Sequence, residues 1–149
     1  MDSQIVYEML ENPEFLDEIA ALPEGREILG CKQYGNCSGM CPVAPMLEHT
    51  PRKIFAMLRA GMKDEVLRSS TPWVCSSCYA CTVKCPACIK ITEIMYALKR
   101  RAIAESIRPP DSDAYRFARL FTKIVCKHGR SHEMGLLMRY MGFHHPVAM

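Results

Sequence analysis

The sequence predicts an all-α protein, and three observations predict it. Apolar residues recur at three- and four-residue spacing through each long segment, the period of a helix buried on one side. No stretch sustains the apolar–polar alternation of a strand. Proline, glycine, serine and threonine fall between the periodic segments, where they start or stop helices.

The first thirty residues read as a helical arm. Ile5, Met9 and Leu10 share one helical face, and Phe15, Leu16 and Ile19 form another after the Asn12-Pro13 break. Pro23 and Gly30 punctuate the approach to Cys31. Thr50 suits a helix cap with Pro51 in the first helical position, because the N–H that proline lacks has no helical partner there. Ile54, Met57, Leu58 and Gly61 then face one way, a short helix over "KDEVLRSS" follows, and "TPW" leads to Cys75. Beyond Pro86, Ile91, Ile94, Met95, Leu98 and Ala102 share a face, with Lys99, Arg100 and Arg101 mostly on the opposite, solvated side. "RPPDSD" breaks the chain and offers Ser112 or Asp113 as a new cap. Phe117, Leu120, Phe121, Ile124 and Val125 make the next amphipathic helix, which Gly129 can end; "SHEMGLLMRYM" is a last short helix and "GFHHPVAM" a tail.

With 149 residues, 49% hydrophobic and 23% charged, the chain suits one domain with a real core. Charged residues interrupt every apolar run well short of a membrane span, so no membrane crossing is expected. The first residues lack the basic and apolar regions of a signal peptide, which makes a cytoplasmic protein the expectation. A formal charge of +3 without a dense basic stripe argues against a nucleic-acid binder. The eleven methionines read mostly as core filling, with Met134, Leu137, Met138 and Met141 as candidates for a partner surface. His49, His128, His144 and His145 read as surface or capping residues.

Cysteine carries the chemistry. Seven of the nine cysteines fall in two runs, "CKQYGNCSGMCP" at 31–42 and "CSSCYACTVKCP" at 75–86. The second fits the iron–sulfur spacing C-x2-C-x2-C-x3-C-P; the first fits it with Tyr34 at the second cysteine position. In such runs the first three thiolates converge on one cluster, and the cysteine before proline ligates the other. That rule assigns Cys41, Cys75, Cys78 and Cys81 to a 4Fe–4S cluster, and Cys31, Cys37 and Cys85 to a second cluster facing Tyr34. Two such clusters, each with a net charge of about −2, bring the loaded chain near neutrality. Zinc is the alternative, but zinc sites generally pair C-x2-C knuckles around one tetrahedron.

Tyr34 admits four readings. The one adopted is a 3Fe–4S cluster held by Cys31, Cys37 and Cys85, the simplest outcome when the fourth thiolate is missing. The others are a 4Fe–4S cluster with the Tyr34 phenolate or water on its fourth iron, recruitment of Cys88 as the fourth ligand, and a Tyr34 that merely packs over the cluster edge. Cys85-Pro86-Ala87-Cys88 also has C-x-x-C form, but Cys85 is already needed as a ligand, which disfavours a thioredoxin-like role. Cys126, on the Arg119–Thr122 side of its helix, reads as a surface thiol or interface residue. Lys32, Lys84 and Lys90 flank ligand positions and are either potential-raising charges or ordinary solvent-facing lysines.

Two Cys-Pro-terminated runs joined by "TPRKIFAMLRAGMKDEVLRSSTPWVCSSCYAC", with "CPACIKITEIMYALKRRAI" and "HGRSHEMGLLMRY", resemble the iron–sulfur C subunit of heterodisulfide reductase from about Cys31 to Tyr140. The resemblance implies an α-helical ferredoxin fold, also found in the C-terminal half of the iron–sulfur subunit of succinate dehydrogenase. In that relative a non-cysteine residue at the second position of one run accompanies a three-iron cluster. The resemblance further implies an electron relay between the flavin-containing A subunit and the B subunit, which carries the disulfide chemistry. The methanogen-type C subunit has both runs complete, so Tyr34 is a departure, and the heterodisulfide reductase-like complexes of sulfur oxidisers are a home for such a variant. The expected organisation is one domain over 1–149, with an arm at 1–30, a two-cluster core at 31–106 and C-terminal helices and tail at 107–149. The expected function is electron transfer; the alternatives are a catalytic subunit binding a sulfur substrate at an open iron near Tyr34, and a module in which the clusters are only staples.

Overall fold

The structure, a computed structural model, describes residues 12–110 and 112–144. The face expected from Ile5, Met9 and Leu10 lies outside the described residues, as do His145 and the end of the tail. All regular structure among the described residues is helical, in agreement with the all-α expectation. No helix among them is long and apolar enough to cross a membrane. The chain divides into two compact units, 1–110 and 111–149.

In the first unit, α1 (Pro13–Ala20) opens with proline in its first turn and buries Phe15 and Ile19. A 3-10 turn at Arg26–Gly30 then buries Ile28 and delivers Cys31. Helices α2 (Asn36–Gly39), α3 (Pro51–Arg59), α4 (Lys63–Arg68), α5 (Thr71–Val74), α6 (Ala80–Val83) and α7 (Ile91–Ala104) follow. The core joins Ile54, Phe55, Met57 and Leu58 of α3 to Val66 and Leu67 of α4 and to the Ile91, Ile94, Met95, Leu98 and Ala102 face of α7. Each of those α7 residues is buried, as the periodicity predicts.

Gly61 ends α3 for two reasons. Its φ of +68° is a left-handed conformation that side chains rarely adopt, and a Cβ there would meet the Asn12 backbone at 2.9 Å. The close approach seats the entry to α1 against the end of α3, two helices that pack together. Thr50 precedes Pro51 as expected, although its side chain makes no capping bond.

Three one-turn helices, α2, α5 and α6, are not legible in the sequence. Four residues are too few for a 3.6-residue period to register. Helix α5 includes the "TPW" segment, where the sequence suggests only a connection.

The second unit holds α8 (Asp113–His128) and α9 (Glu133–His144), which pack against each other. Of the two proposed caps, Ser112 is the one used: its Oγ accepts the Tyr115 N–H at 3.2 Å. Gly129 at φ +71° closes α8 as expected. Phe117 stacks on Phe121 at 6.2 Å and meets Tyr140 edge-on at 5.8 Å, yet Phe117 and Phe121 remain 44% and 41% exposed. Only Ile124 of that amphipathic set is fully buried. Met134, Leu137, Met138 and Met141, the residues set apart from the core-filling methionines, are all exposed. Helix α9 continues through Gly142, Phe143 and His144, where a tail was expected.

Candidate metal centres

The two cysteine runs share one local conformation. In the first, Gln33 and Gly35 adopt positive φ (58° and 89°) on either side of Tyr34; in the second, Ser77 and Tyr79 do so (55° and 61°) on either side of Cys78. A one-turn helix follows each loop, with Cys37 at the second position of α2 and Cys81 at the second position of α6. Tyr34 thus occupies the backbone position that Cys78 holds in the intact run. In such loops successive backbone N–H groups can turn toward one point, a concavity that binds anions and clusters.

Helices α2 and α6 pack together, and the Asn36 side-chain amide donates to the Lys84 carbonyl at 3.5 Å. The packing exchanges the last cysteine of each run. One cavity is lined by Cys75, Cys78 and Cys81 of the second run together with Cys41 of the first. The other is lined by Cys31, Tyr34 and Cys37 of the first run together with Cys85 of the second. Each is a pocket of about 390 Å³, counting the open solvent at its mouth. Val43, Leu47, Pro51 and Met95 give the first an apolar wall; Phe55, Pro86 and Ile89 do so for the second. Ile91, at the start of α7, lines both.

Electrostatics report the same grouping. Burial pushes the Cys41 thiol up from its ordinary pKa, opposed by the backbone bond at Val43, and Cys75, Cys81 and Cys78 push it further by proximity. Burial likewise raises Cys37, with a contribution from Cys31 and a weaker one from Cys81. At Cys41 and Cys37 the bare thiolate is therefore disfavoured, and a bound cationic centre would offset that cost. The two cavities can be distinguished by their bonds to sulfur. The Gln33 amide donates to Cys31 Sγ at 3.6 Å, while Cys81 Sγ lies 3.8 Å from the Thr92 hydroxyl.

No group of three or more His, Cys, Asp or Glu side chains among the described residues is arranged to hold a single metal ion. Four sulfurs around one zinc stand about 3.8 Å apart at the usual bond length. A cluster takes each thiolate on a different iron and so needs a wider cage. Apolar cavities ringed by three or four cysteines fit the second requirement.

Cys88 is exposed, at φ 53°, and the wall of the Tyr34 cavity passes from Cys85, Pro86 and Ala87 to Ile89 without it. Tyr34 lines that cavity and is 67% exposed. Cys126 is exposed. Lys32, Lys84 and Lys90 are exposed too, which is the ordinary lysine reading. His49 is half-buried, and its backbone N–H donates to, and its C=O accepts from, the Thr71 hydroxyl at 2.9 and 2.7 Å, beside the wall that Thr71 gives to the Cys41 cavity.

The basic stretch on α7 divides in a way its helical pattern does not announce. Arg100 pairs with Glu24, and Arg101 with Glu18 at 2.7 Å and with Glu105. Lys99 is half-buried instead of solvated, with its ammonium 5.1 Å from the Tyr96 ring centroid and 6.0 Å from that of Trp73. Burial lowers its pKa, and the nearby Cys75 pulls it back up. The available signal was Tyr96, which shares the Lys99 side of the helix at i,i+3 spacing.

No protein-family model matches the chain. Among curated proteins, it is 36% identical over 98 residues to the iron–sulfur C subunit of the CoB–CoM heterodisulfide reductase of Methanopyrus kandleri, covering 61% of this chain and 51% of that one. It is 34% identical over 88 residues to a protein of Archaeoglobus profundus described as like the C subunit of heterodisulfide reductase, covering 58% and 45%. With the C subunit of the ferredoxin/F420H2-dependent CoB–CoM heterodisulfide reductase of Methanosarcina acetivorans it shares 33% over 90 residues, covering 59% and 54%. The chain spans about half the length of the curated relatives it matches.

Proposed function

We propose that the chain is an electron-transfer subunit holding two iron–sulfur clusters in a reductase complex of the heterodisulfide reductase type, a reading supported by its similarity to C subunits of that enzyme over the region it shares with them. The observation that carries the reading is the exchange of cysteines between the runs, Cys41 lining the cavity of Cys75, Cys78 and Cys81, and Cys85 that of Cys31 and Cys37. Iron–sulfur clusters bound there would supply one-electron transfer at two neighbouring points.

The chain's own residues give those points a common wall and an apolar inner lining. Ile91 is a wall common to both cavities, which favours electron exchange between the sites. Phe55, Ile89 and Met95 exclude water, and polar donors such as Gln33 act directly on sulfur. We assign a 4Fe–4S cluster to Cys41, Cys75, Cys78 and Cys81, and a 3Fe–4S cluster to Cys31, Cys37 and Cys85. Tyr34 repeats the backbone of Cys78 without its thiolate, and the exposed Cys88 lies off the cavity wall, which together favour three irons over a recruited fourth ligand. In the cytoplasm, a flavin-containing protein resembling the A subunit and a disulfide-chemistry protein resembling the B subunit would complete the path.

Anaerobic EPR with an iron count tests the assignment. About seven irons per chain and a signal in the oxidised state support it. About eight irons with an EPR-silent oxidised state would overturn the three-iron site, and no iron–sulfur signal in any state would overturn the function.

A further inference from the structure

We propose that Lys99 selectively raises the reduction potential of the cluster held by Cys41, Cys75, Cys78 and Cys81, and so biases the electron toward that end of the pair. The inference rests on the two-cluster reading above. Its observation is a half-buried ammonium on α7, held between the rings of Trp73 and Tyr96 and within electrostatic reach of Cys75. Trp73 is two residues before Cys75, so the ring under the ammonium belongs to the same short segment as the ligand.

Lys99 forms no ion pair with a carboxylate among the described residues, whereas Arg100, Arg101 and Lys63 each do. A cation removed from water without an anion is costly, and a ligating thiolate at Cys75 would offset that cost here. The attraction acts in both directions. Reduction adds one electron to the cluster and no bond forms or breaks; a fixed positive charge nearby stabilises that added charge, so the potential rises. The Trp73 and Tyr96 faces are attracted to the ammonium and hold it at this depth.

The effect is one-sided. The cations at the Tyr34 site, Lys32 and Arg52 on its lining and Arg59, whose guanidinium donates to the Cys31 carbonyl at 2.8 Å, are exposed, where water and salt screen them. Lys99 lies deeper and acts through a less screened medium. Two clusters with similar thiolate shells are thereby made electrostatically unequal by one helix residue.

The test is an EPR-monitored redox titration of the cluster-loaded full chain, comparing wild type with Lys99→Met and Lys99→Arg. Methionine keeps the apolar stem and removes the charge; arginine keeps the charge. The expected result is that Lys99→Met lowers one midpoint and leaves the other in place, and that Lys99→Arg restores the wild-type value. Tyr34→Cys identifies the clusters, because it changes the signal of the one whose midpoint should stay fixed. Unmoved midpoints, equal shifts of both, or a shift confined to the cluster that Tyr34→Cys alters would each overturn the proposal while leaving the two-cluster reading intact. Should Lys99→Met fail to load, Lys99→Gln is the neutral comparison, with the same outcomes. Absence of either cluster's signal in the wild type would overturn the two-cluster reading itself.

Discussion

Truncating Ile91 to alanine should disturb both cluster sites at once, because its side chain lines both cavities. The residue is 3% exposed, so nearly all of what is removed comes from the interior. Three carbons at about 0.8 kcal/mol per buried methylene give about 2.4 kcal/mol of lost transfer energy. A residual void of roughly 40 Å³ adds about 1 kcal/mol at ~24 cal/mol per Å³. The sum, about 3.4 kcal/mol, lies within the range typical of such truncations. With a guanidinium slope of about 4 kcal/mol/M, the midpoint of unfolding falls by roughly 0.8 M. The assay is anaerobic guanidinium titration of the loaded protein, following the EPR signal of each cluster separately. Ile89→Ala, which touches only the Tyr34 cavity, and Met95→Ala, which touches only the other, are the controls. Each control should weaken one signal first, and Ile91→Ala both together. If Ile91→Ala alters a single cluster, or moves the midpoint by less than about 0.2 M, the shared wall is refuted.

Three further outcomes follow from the same geometry. Cys41→Ser should eliminate the cluster of the other run and spare the Tyr34-site signal, as read by EPR and iron content; loss of the Tyr34-site signal alone would contradict the exchange of ligands. Tyr34→Cys should raise the iron count from about seven to about eight and abolish the oxidised-state signal, since the loop already has the backbone of its intact counterpart; an unchanged count argues against a vacant corner. Glu48 accepts bonds from the Ser70 N–H at 2.8 Å, the Ser70 hydroxyl at 3.2 Å and the Ser69 hydroxyl at 3.3 Å, and the first of these leads in holding its carboxyl below the ordinary range. Its stabilising effect is therefore complete above the ordinary carboxylate pKa and is lost as pH falls through the lowered folded value. Denaturant midpoints of wild type and Glu48→Gln should differ most at neutral pH and converge in acid.

The long helices could be read directly, and for a physical reason. In α7 the period of Ile91, Ile94, Met95, Leu98 and Ala102 is a property of the local chain, and so is the capping chemistry of Ser112 and Gly129. The cysteine spacing likewise pointed to the grouping of Cys41 with the second run and Cys85 with the first, because the cysteine before proline in such a run turns away from the cluster that its first three hold. Periodicity does not say what covers a face, however. Phe117 and Phe121 have the pattern of a buried stripe and remain exposed, while Lys99 has the pattern of a solvated one and lies half-buried.

What the sequence determined alone was the helical period, the Ser112 and Gly129 caps and the spacing of the candidate sulfur ligands within each run, all set by residues within a few turns of one another. Tertiary packing decided the rest. Helices α2 and α6 meet across more than forty residues of chain (Asn36 to Lys84), and only that contact brings Cys41 to Cys75 and Cys85 to Cys31. Tertiary packing also makes Ile91 a common wall, leaves Cys88 off the Tyr34 cavity and half-buries Lys99 with its ammonium over the Trp73 ring. Burial and electrostatic reach are properties of what packs against a residue, and distant segments supply that packing.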